Sequence, residues 1–248
     1  HMADAYFRVA HHPVATLTSC GPGSTNLLTA LASAMMDSSA MLAITGNVPT
    51  SQFNRAPFQE TGRHFQADFP NVMRPYVKKA FQPTRVEMLP VTLRQAFKTM
   101  LTGRPGPVGI DVPLNCFAEE AEVEVPEPGL WRKGIRTGGF CTTESAEQAL
   151  EMLLVAEKPC ILAGNGAMIS EAGKEILKLS KLLGIPVATT ANGKGIIPED
   201  NPLSLGVIGR NGTYMANESC RSCEVLLAVG AKFDDRQSST WIPGYSFN

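Results

Sequence analysis

Clusters of glycine and small polar residues carry the most evident chemistry of this sequence. They fall at residues 19–26, 46–51, 164–167, 189–195 and 230–236. Each follows a short apolar run, and in an open parallel sheet ligands bind beyond the carboxyl ends of the strands. Glycine there lets backbone N–H groups approach a phosphate, and a following helix adds the positive end of its dipole. Gly164-Asn165-Gly166 lacks the third glycine of a dinucleotide fingerprint, so alone it is a weak phosphate signal. No Gly-x-x-x-x-Gly-Lys-Ser/Thr run exists, which excludes a P-loop.

The cysteines are Cys20, Cys116, Cys141, Cys160, Cys220 and Cys223. The first four have no short repeat spacing, which fits reduced thiols better than a disulfide framework. Cys220 and Cys223 form a C-x-x-C. A zinc site needs two further ligands, and neither His nor Cys lies near the pair in sequence. A redox C-x-x-C opens a helix, whose dipole lowers the thiol pKa; this one is expected to close a helix. Both are read as ordinary thiols, and no metal site is expected.

The elements that must position these clusters alternate in type. Apolar runs at residues 13–18, 40–45 and 107–112 predict strands; residues 25–36, rich in Leu and Ala, and residues 89–101, with helical periodicity, predict helices. Residues 118–141 change character to an acidic, then basic, glycine-containing stretch and are read as a linker. The alternation then restarts, with strands predicted at 159–163, 185–190 and 224–229. Helices are predicted at 171–183, closed by Gly184 as C-cap, and at 212–222. The expected fold is α/β: two consecutive three-layer domains, each around a parallel sheet, over residues 1–117 and 142–248.

Bulk properties bound the function. The chain has 248 residues, 44% hydrophobic and 18% charged, enough for one large or two modest domains. A formal net charge of −1 gives no nucleic-acid surface. No apolar run approaches the roughly 18 residues that span a bilayer. No basic and then apolar leader opens the chain, so a cytoplasmic location, or an organellar one in a eukaryote, is expected.

Three ordered blocks of the sequence carry a pattern beyond periodicity. The first is Thr18-Ser19-Cys20-Gly21-Pro22-Gly23-Ser24-Thr25-Asn26, followed by Ile44-Thr45-Gly46-Asn47-Val48-Pro49 and Phe58-Gln59-Glu60. The second is Thr102-Gly103-Arg104-Pro105-Gly106-Pro107, continuing to Asp111-Val112-Pro113. The third runs from Ile185-Pro186-Val187-Ala188-Thr189-Thr190 through Asn211-Gly212-Thr213-Tyr214 to Phe233-Asp234-Asp235-Arg236.

Together these three blocks, in this order, resemble the acetolactate synthase large-subunit family of thiamine-diphosphate enzymes, and that resemblance implies a first domain that binds the pyrimidine half of thiamine diphosphate. It implies a second, Rossmann-like domain that binds FAD, or ADP as in some relatives. The family's third domain holds the diphosphate through Mg²⁺ with a Gly-Asp-Gly motif, which is absent from this sequence. The carboxylate that favours the imino tautomer of the pyrimidine lies, in the family, just upstream of a stretch like His1-Met2-Ala3-Asp4-Ala5-Tyr6. It is therefore expected to be missing, and the chain alone to be inactive. Gly21, Pro22, Gly23 and Asn26 are implied to line the pyrimidine side. Phe58 and Gln59 are implied to reach the active site of an opposing subunit, and Arg104 to contact FAD. Gly164, Asn165, Gly166, Ala167, Thr189, Thr190, Asn192, Gly193, Asn211, Gly212, Thr213, Gly230, Lys232, Asp235 and Arg236 are implied to cradle the flavin nucleotide. Lys78 is given no role and is read as a solvated lysine.

Two positions depart from the family pattern: Leu114 where it usually has Lys, and Asn211 where it usually has His. The implied activity is decarboxylation of pyruvate and transfer of the two-carbon unit to a second 2-ketoacid, in branched-chain amino acid biosynthesis. It would occur in a homodimer or homotetramer with a possible regulatory subunit. Glyoxylate carboligase, oxalyl-CoA decarboxylase or aldehyde lyase chemistry on the same scaffold is the alternative. A non-catalytic nucleotide-binding module is the reading from a different class.

Overall fold

In the computed structural model, residues 1–59, 68–127, 129 and 141–238 are described. The chain divides into two compact units, His1–Gly139 and Phe140–Asn248. Glu60 and most of the linker's second half lie outside the described residues.

The first unit runs α1 (Met2–Ala10), β1 (Ala15–Thr18), α2 (Pro22–Thr25), α3 (Leu28–Asp37), β2 (Leu42–Asn47), α4 (Phe69–Met73), β3 (Ala80–Phe81), α5 (Leu89–Leu101), β4 (Val108–Pro113) and α6 (Leu114–Ala118). Its strands pair in the order β1-β2-β4-β3, all parallel. Every residue of β4 is buried, as a central parallel strand covered on both faces requires. Leu31, Ala34, Met41, Ala43, Phe69, Met73 and Val77 pack one layer of the core.

The second unit runs α7 (Thr143–Val155), β5 (Pro159–Ala163), α8 (Asn165–Ile169), α9 (Gly173–Leu183), β6 (Val187–Thr189), β7 (Ser204–Val207), α10 (Tyr214–Ser222), β8 (Val225–Val229) and α11 (Asp235–Ser238). Its parallel sheet has the order β7-β6-β5-β8. Alternate residues of β5 face opposite layers. Ile161 and Ala163 join Ile176, Ile185, Val187 and Ile197, while Cys160 and Leu162 join Ala188, Ile208, Ala216 and Cys220. Successive strands move outward from β5 on one side, and β8 returns on the other. The crevice between β5 and β8 is thus the topological switch point of the sheet.

The two parallel α/β domains expected from the sequence are the ones that form, with local differences. The helix predicted over 25–36 is broken into α2 and α3 near Asn26, where Leu27 N–H bonds Ser24 O at a tighter spacing than an α-helix uses. The strand predicted over 40–45 continues through Gly46 to Asn47, because β2 stays registered with β4 to Pro113. Gly184 takes the left-handed conformation (φ 69°) and closes α9 as expected. Helices α1, α4, α6, α7, α8 and α11 and strands β3 and β7 have no counterpart among the elements predicted from the sequence.

Candidate cofactor-binding turns

In the first unit the turn after β1 is built by short-range constraints. Gly21 has φ +60°, a conformation that side chains disfavour. The Ser24 hydroxyl donates to Ser19 O at 2.7 Å, closing the turn on the start of α2. A Cβ on Gly21 would lie 1.9 Å from Gln59 O, so the segment bearing Gln59 packs backbone to backbone on the turn. Cys20 Sγ lies 3.6 Å from Gln59 Oε1. Gln59 itself adopts φ 67°, with Asn54 and Ala56 also left-handed, so the segment is locally strained. Phe58 is 86% exposed. The structure therefore brings Gly21 and Gln59 together, with Pro22 and Asn26 exposed beside them. The Thr18 hydroxyl, just before the turn, is buried without a hydrogen-bond partner.

Below this turn lies a buried carboxylate that the sequence analysis did not single out. Asp111 of β4 is fully buried. It accepts from Thr45 Oγ1 at 2.7 Å, from Gln82 Nε2 at 2.8 Å and from Asn47 Nδ2. The Asn47 carbonyl oxygen accepts from Val48 N–H at 2.7 Å, which fixes the amide with its NH₂ towards Asp111. Burial pushes the Asp111 carboxyl above the usual carboxylate range, against the pull of the Thr45, Gln82 and Asn47 hydrogen bonds. The network ties the carboxyl ends of β2 and β4 to the segment after β3. An acidic residue inside an otherwise apolar buried strand was the available signal.

Arg104 has a role within its own unit. Its guanidinium donates to Ser38 Oγ at 2.7 Å, to Met35 O at 3.1 Å and to Met36 O, closing the carboxyl end of α3. Lys78 is half-buried, and its ammonium donates to Thr102 O and Arg104 O, each at 2.8 Å. Burial, and then the Arg104 charge, lower its pKa. The reading of Lys78 as a solvated lysine is corrected: it braces the turn that carries Arg104.

In the second unit the turns after β5, β6 and β8 meet at the switch point. A Cβ on Gly164 would lie 2.4 Å from Gly230 O, one on Gly166 2.8 Å from Gly230 Cα, and one on Gly193 2.5 Å from Ala163 O. Gly164 N–H bonds Val229 O at 2.9 Å and Gly166 N–H bonds Gly230 O at 3.0 Å. Glycine is thus required here by close packing of main chain on main chain, and these two N–H groups are engaged within the turn. Thr190, at the end of β6, is 1% exposed and its hydroxyl has no partner. A second group forms beside this one. A Cβ on Gly209 would lie 2.0 Å from Arg236 O, and Arg210 N–H bonds that same oxygen at 3.2 Å. Arg210 pairs with Asp235 at 3.2 Å, and Lys232 with Asp234 at 3.3 Å. Gln237 Oε1 is buried without a partner. Asn217 clamps Gly209 through both its N–H and its carbonyl, an anchor the sequence analysis did not identify.

Thr213 caps α10, accepting from Ala216 N–H at 3.1 Å and donating to Leu205 O at 2.6 Å. Gly212 packs on Val207 O. Thr189 donates to Gly206 O at 3.4 Å. Asn192, Asn211 and Arg236 are exposed, while Asn165 is half-buried and Ala167 buried. Orphaned buried hydroxyls at Thr18 and Thr190, each at the carboxyl end of a strand and beside a glycine turn, fit a polar group bound at each sheet. Among the described residues, no three His, Cys, Asp or Glu side chains are grouped to hold a metal ion. None of the described helices is long and apolar enough to cross a membrane.

Comparison with known proteins covers both units. Residues 1–67 match the N-terminal TPP binding domain of thiamine pyrophosphate enzymes, and residues 146–247 match their central domain. The chain is 39% identical over 238 residues to a probable acetolactate synthase large subunit of Methanocaldococcus jannaschii, covering 95% of this chain and 39% of that protein. It is 38% identical over 244 residues to an acetolactate synthase of Arthrospira platensis, covering 97% of this chain and 41% of that protein. With the acetolactate synthase isozyme 3 large subunit of Escherichia coli it shares 32% identity over 244 residues, 96% of this chain and 41% of that protein. The chain thus spans about two-fifths of the length of these curated relatives.

Proposed function

Because the chain belongs to the thiamine pyrophosphate enzymes, carrying their N-terminal and central domains, we propose that it forms the first two domains of a carboligase of the acetolactate synthase type. The observation that carries the proposal is the similarity to acetolactate synthase large subunits along 95% or more of the chain, through both units.

The residues of the first unit would hold the aminopyrimidine of thiamine diphosphate at the turn formed by Gly21, Pro22, Gly23 and Asn26. The unpartnered Thr18 hydroxyl lies at its base. When bound, that cofactor supplies a carbon nucleophile that adds to a 2-ketoacid and takes up the electrons released on decarboxylation. The chain's own part is to position and to enclose. Asp111, with Thr45, Asn47 and Gln82, holds the strand ends beneath the turn. Gln59 lies on Gly21, and the exposed Phe58 offers an apolar surface to a second subunit of a homodimer or homotetramer. In the second unit the residues after β5, β6 and β8 would cradle FAD as a structural group, with Thr190 and Gln237 offering unpartnered polar atoms. ADP is the other nucleotide this arrangement accommodates. Mg²⁺ is not assigned to these residues. A regulatory small subunit is the further partner that the large-subunit relatives suggest.

The test is turnover by the full-length protein that contains this chain. Given pyruvate, thiamine diphosphate, Mg²⁺ and FAD, it is expected to form acetolactate and to stop when thiamine diphosphate is withheld. Turnover of glyoxylate or oxalyl-CoA without acetolactate would move the assignment to another chemistry on this scaffold.

A further inference from the structure

The C-x-x-C cysteines take no part in the proposed cofactor sites, and a third thiol joins them. Cys160 on β5 and Cys220 on α10 are 60 residues apart in sequence, both buried, with their sulfurs 3.8 Å apart. Cys223 is turned elsewhere: its thiol donates to Cys220 O at 3.2 Å. The close pair is therefore Cys160–Cys220, not the two cysteines adjacent in the motif. A disulfide needs sulfurs about 2 Å apart, so the two sulfurs must approach by somewhat less than 2 Å.

Cys160, the β5 member of the pair, borders a hollow of about 510 Å³ at the amino end of the second sheet, where β5 begins. Cys160, Cys223, Ser219 and Ser222 line it, and Lys158 and Glu157 place one charge of each sign in its wall. The hollow lies at the opposite end of β5 from Gly164, so a small molecule there does not compete with a ligand at the switch point. The hydrogen bond from Cys220 lowers the Cys160 thiol pKa, while that bond and then burial raise Cys220. Cys160 lines the hollow and Cys220 does not, so Cys160 is the thiol that a molecule in the hollow meets first.

We propose that Cys160 and Cys220 are a redox modification site, forming a reversible disulfide by exchange with a low-molecular-mass disulfide that enters this hollow. The Cys160 thiolate attacks one sulfur of the small disulfide and releases one small thiolate, leaving a mixed disulfide. Cys220 then loses its proton and attacks the Cys160 sulfur, releasing the second small thiolate. The protein pair is oxidised by two electrons and the small disulfide is reduced to two thiols. The product ties α10, which begins just after Asn211-Gly212-Thr213, to β5, which ends just before Gly164. The site is independent of the cofactor assignment.

Arg221 lies between Cys220 and Cys223, so trypsin separates them. The chain, incubated with oxidised glutathione under native conditions, alkylated and digested, is expected to yield a crosslinked peptide pair containing Cys160 and Cys220. Dithiothreitol is expected to dissolve that link. Cys223→Ser is expected to retain it and Cys160→Ala to lose it. Recovery of Cys160 and Cys220 as alkylated free thiols while glutathione modifies other cysteines would overturn the proposal, as would a link that joins Cys223. The wild-type chain alone decides the question, so a variant that fails to fold leaves the result standing.

Discussion

Gly21 carries two constraints that favour glycine at its position: a left-handed backbone and main-chain contact with Gln59. Gly21→Ala incurs about 1 kcal/mol for φ alone and must also displace the Gln59 segment. Thiamine diphosphate titration of the full-length protein should show affinity reduced about tenfold or more; unchanged affinity would place the cofactor elsewhere. Asp111 predicts differently. Asp111→Asn puts an NH₂ among three donors, leaves at least one of them unpaired, and should destabilise the fold by about 1–3 kcal/mol in urea unfolding. Its raised pKa also fixes a sign. The folded state binds the Asp111 proton more tightly than the unfolded state. The Asp111 contribution is therefore full below the ordinary carboxylate pKa and falls as pH rises through the raised value. The stability difference between wild type and Asp111→Asn should change across that window and be flat above it. The glycine turns were legible in the sequence because glycine between an apolar run and a helix has few other uses. The partners of Asp111 were not, because Thr45 and Asn47 stand more than 60 residues away and only the sheet register brings them in.

At the scale of elements, two glycines separate backbone freedom from packing. Gly184 closes α9 with φ +69° and open space around its missing side chain, so Gly184→Ala should lower stability by about 1 kcal/mol and leave ligand binding untouched. Gly164 has φ −113°, which any residue adopts, yet its Cβ would strike Gly230 O and Ala231 Cα. Gly164→Ala should therefore cost more stability than Gly184→Ala, and should weaken nucleotide binding because the turns after β5 and β8 must part. Chemical unfolding with FAD and ADP titration reads both. Arg104→Ala should loosen the end of α3 and lower stability by about 1 kcal/mol or more, with Arg104→Lys recovering only part. The central strands could be read directly because strands buried on both faces appear as unbroken apolar runs. Strand β3 is two residues long, and β7 is only half-buried and contains a left-handed Gly206, so neither left such a run. In α7 the apolar residues are not confined to one stripe: Leu150, Met152, Leu154 and Val155 are exposed while Leu153 is buried, which blurs the helical period.

The whole chain is two parallel-sheet units in series, each with its glycine turns and an orphaned hydroxyl at the carboxyl ends of its strands. Under the proposed function, the first of these sites would take the pyrimidine of thiamine diphosphate and the second a nucleotide. The chemistry of the full-length protein tests the proposed function most directly. Incubated with pyruvate, thiamine diphosphate, Mg²⁺ and FAD, that protein should release carbon dioxide and accumulate acetolactate, with Gly21→Ala raising the thiamine diphosphate concentration needed for half-maximal rate. Thiamine-dependent decarboxylation that yields no acetolactate, or acetolactate formation indifferent to thiamine diphosphate, would contradict it.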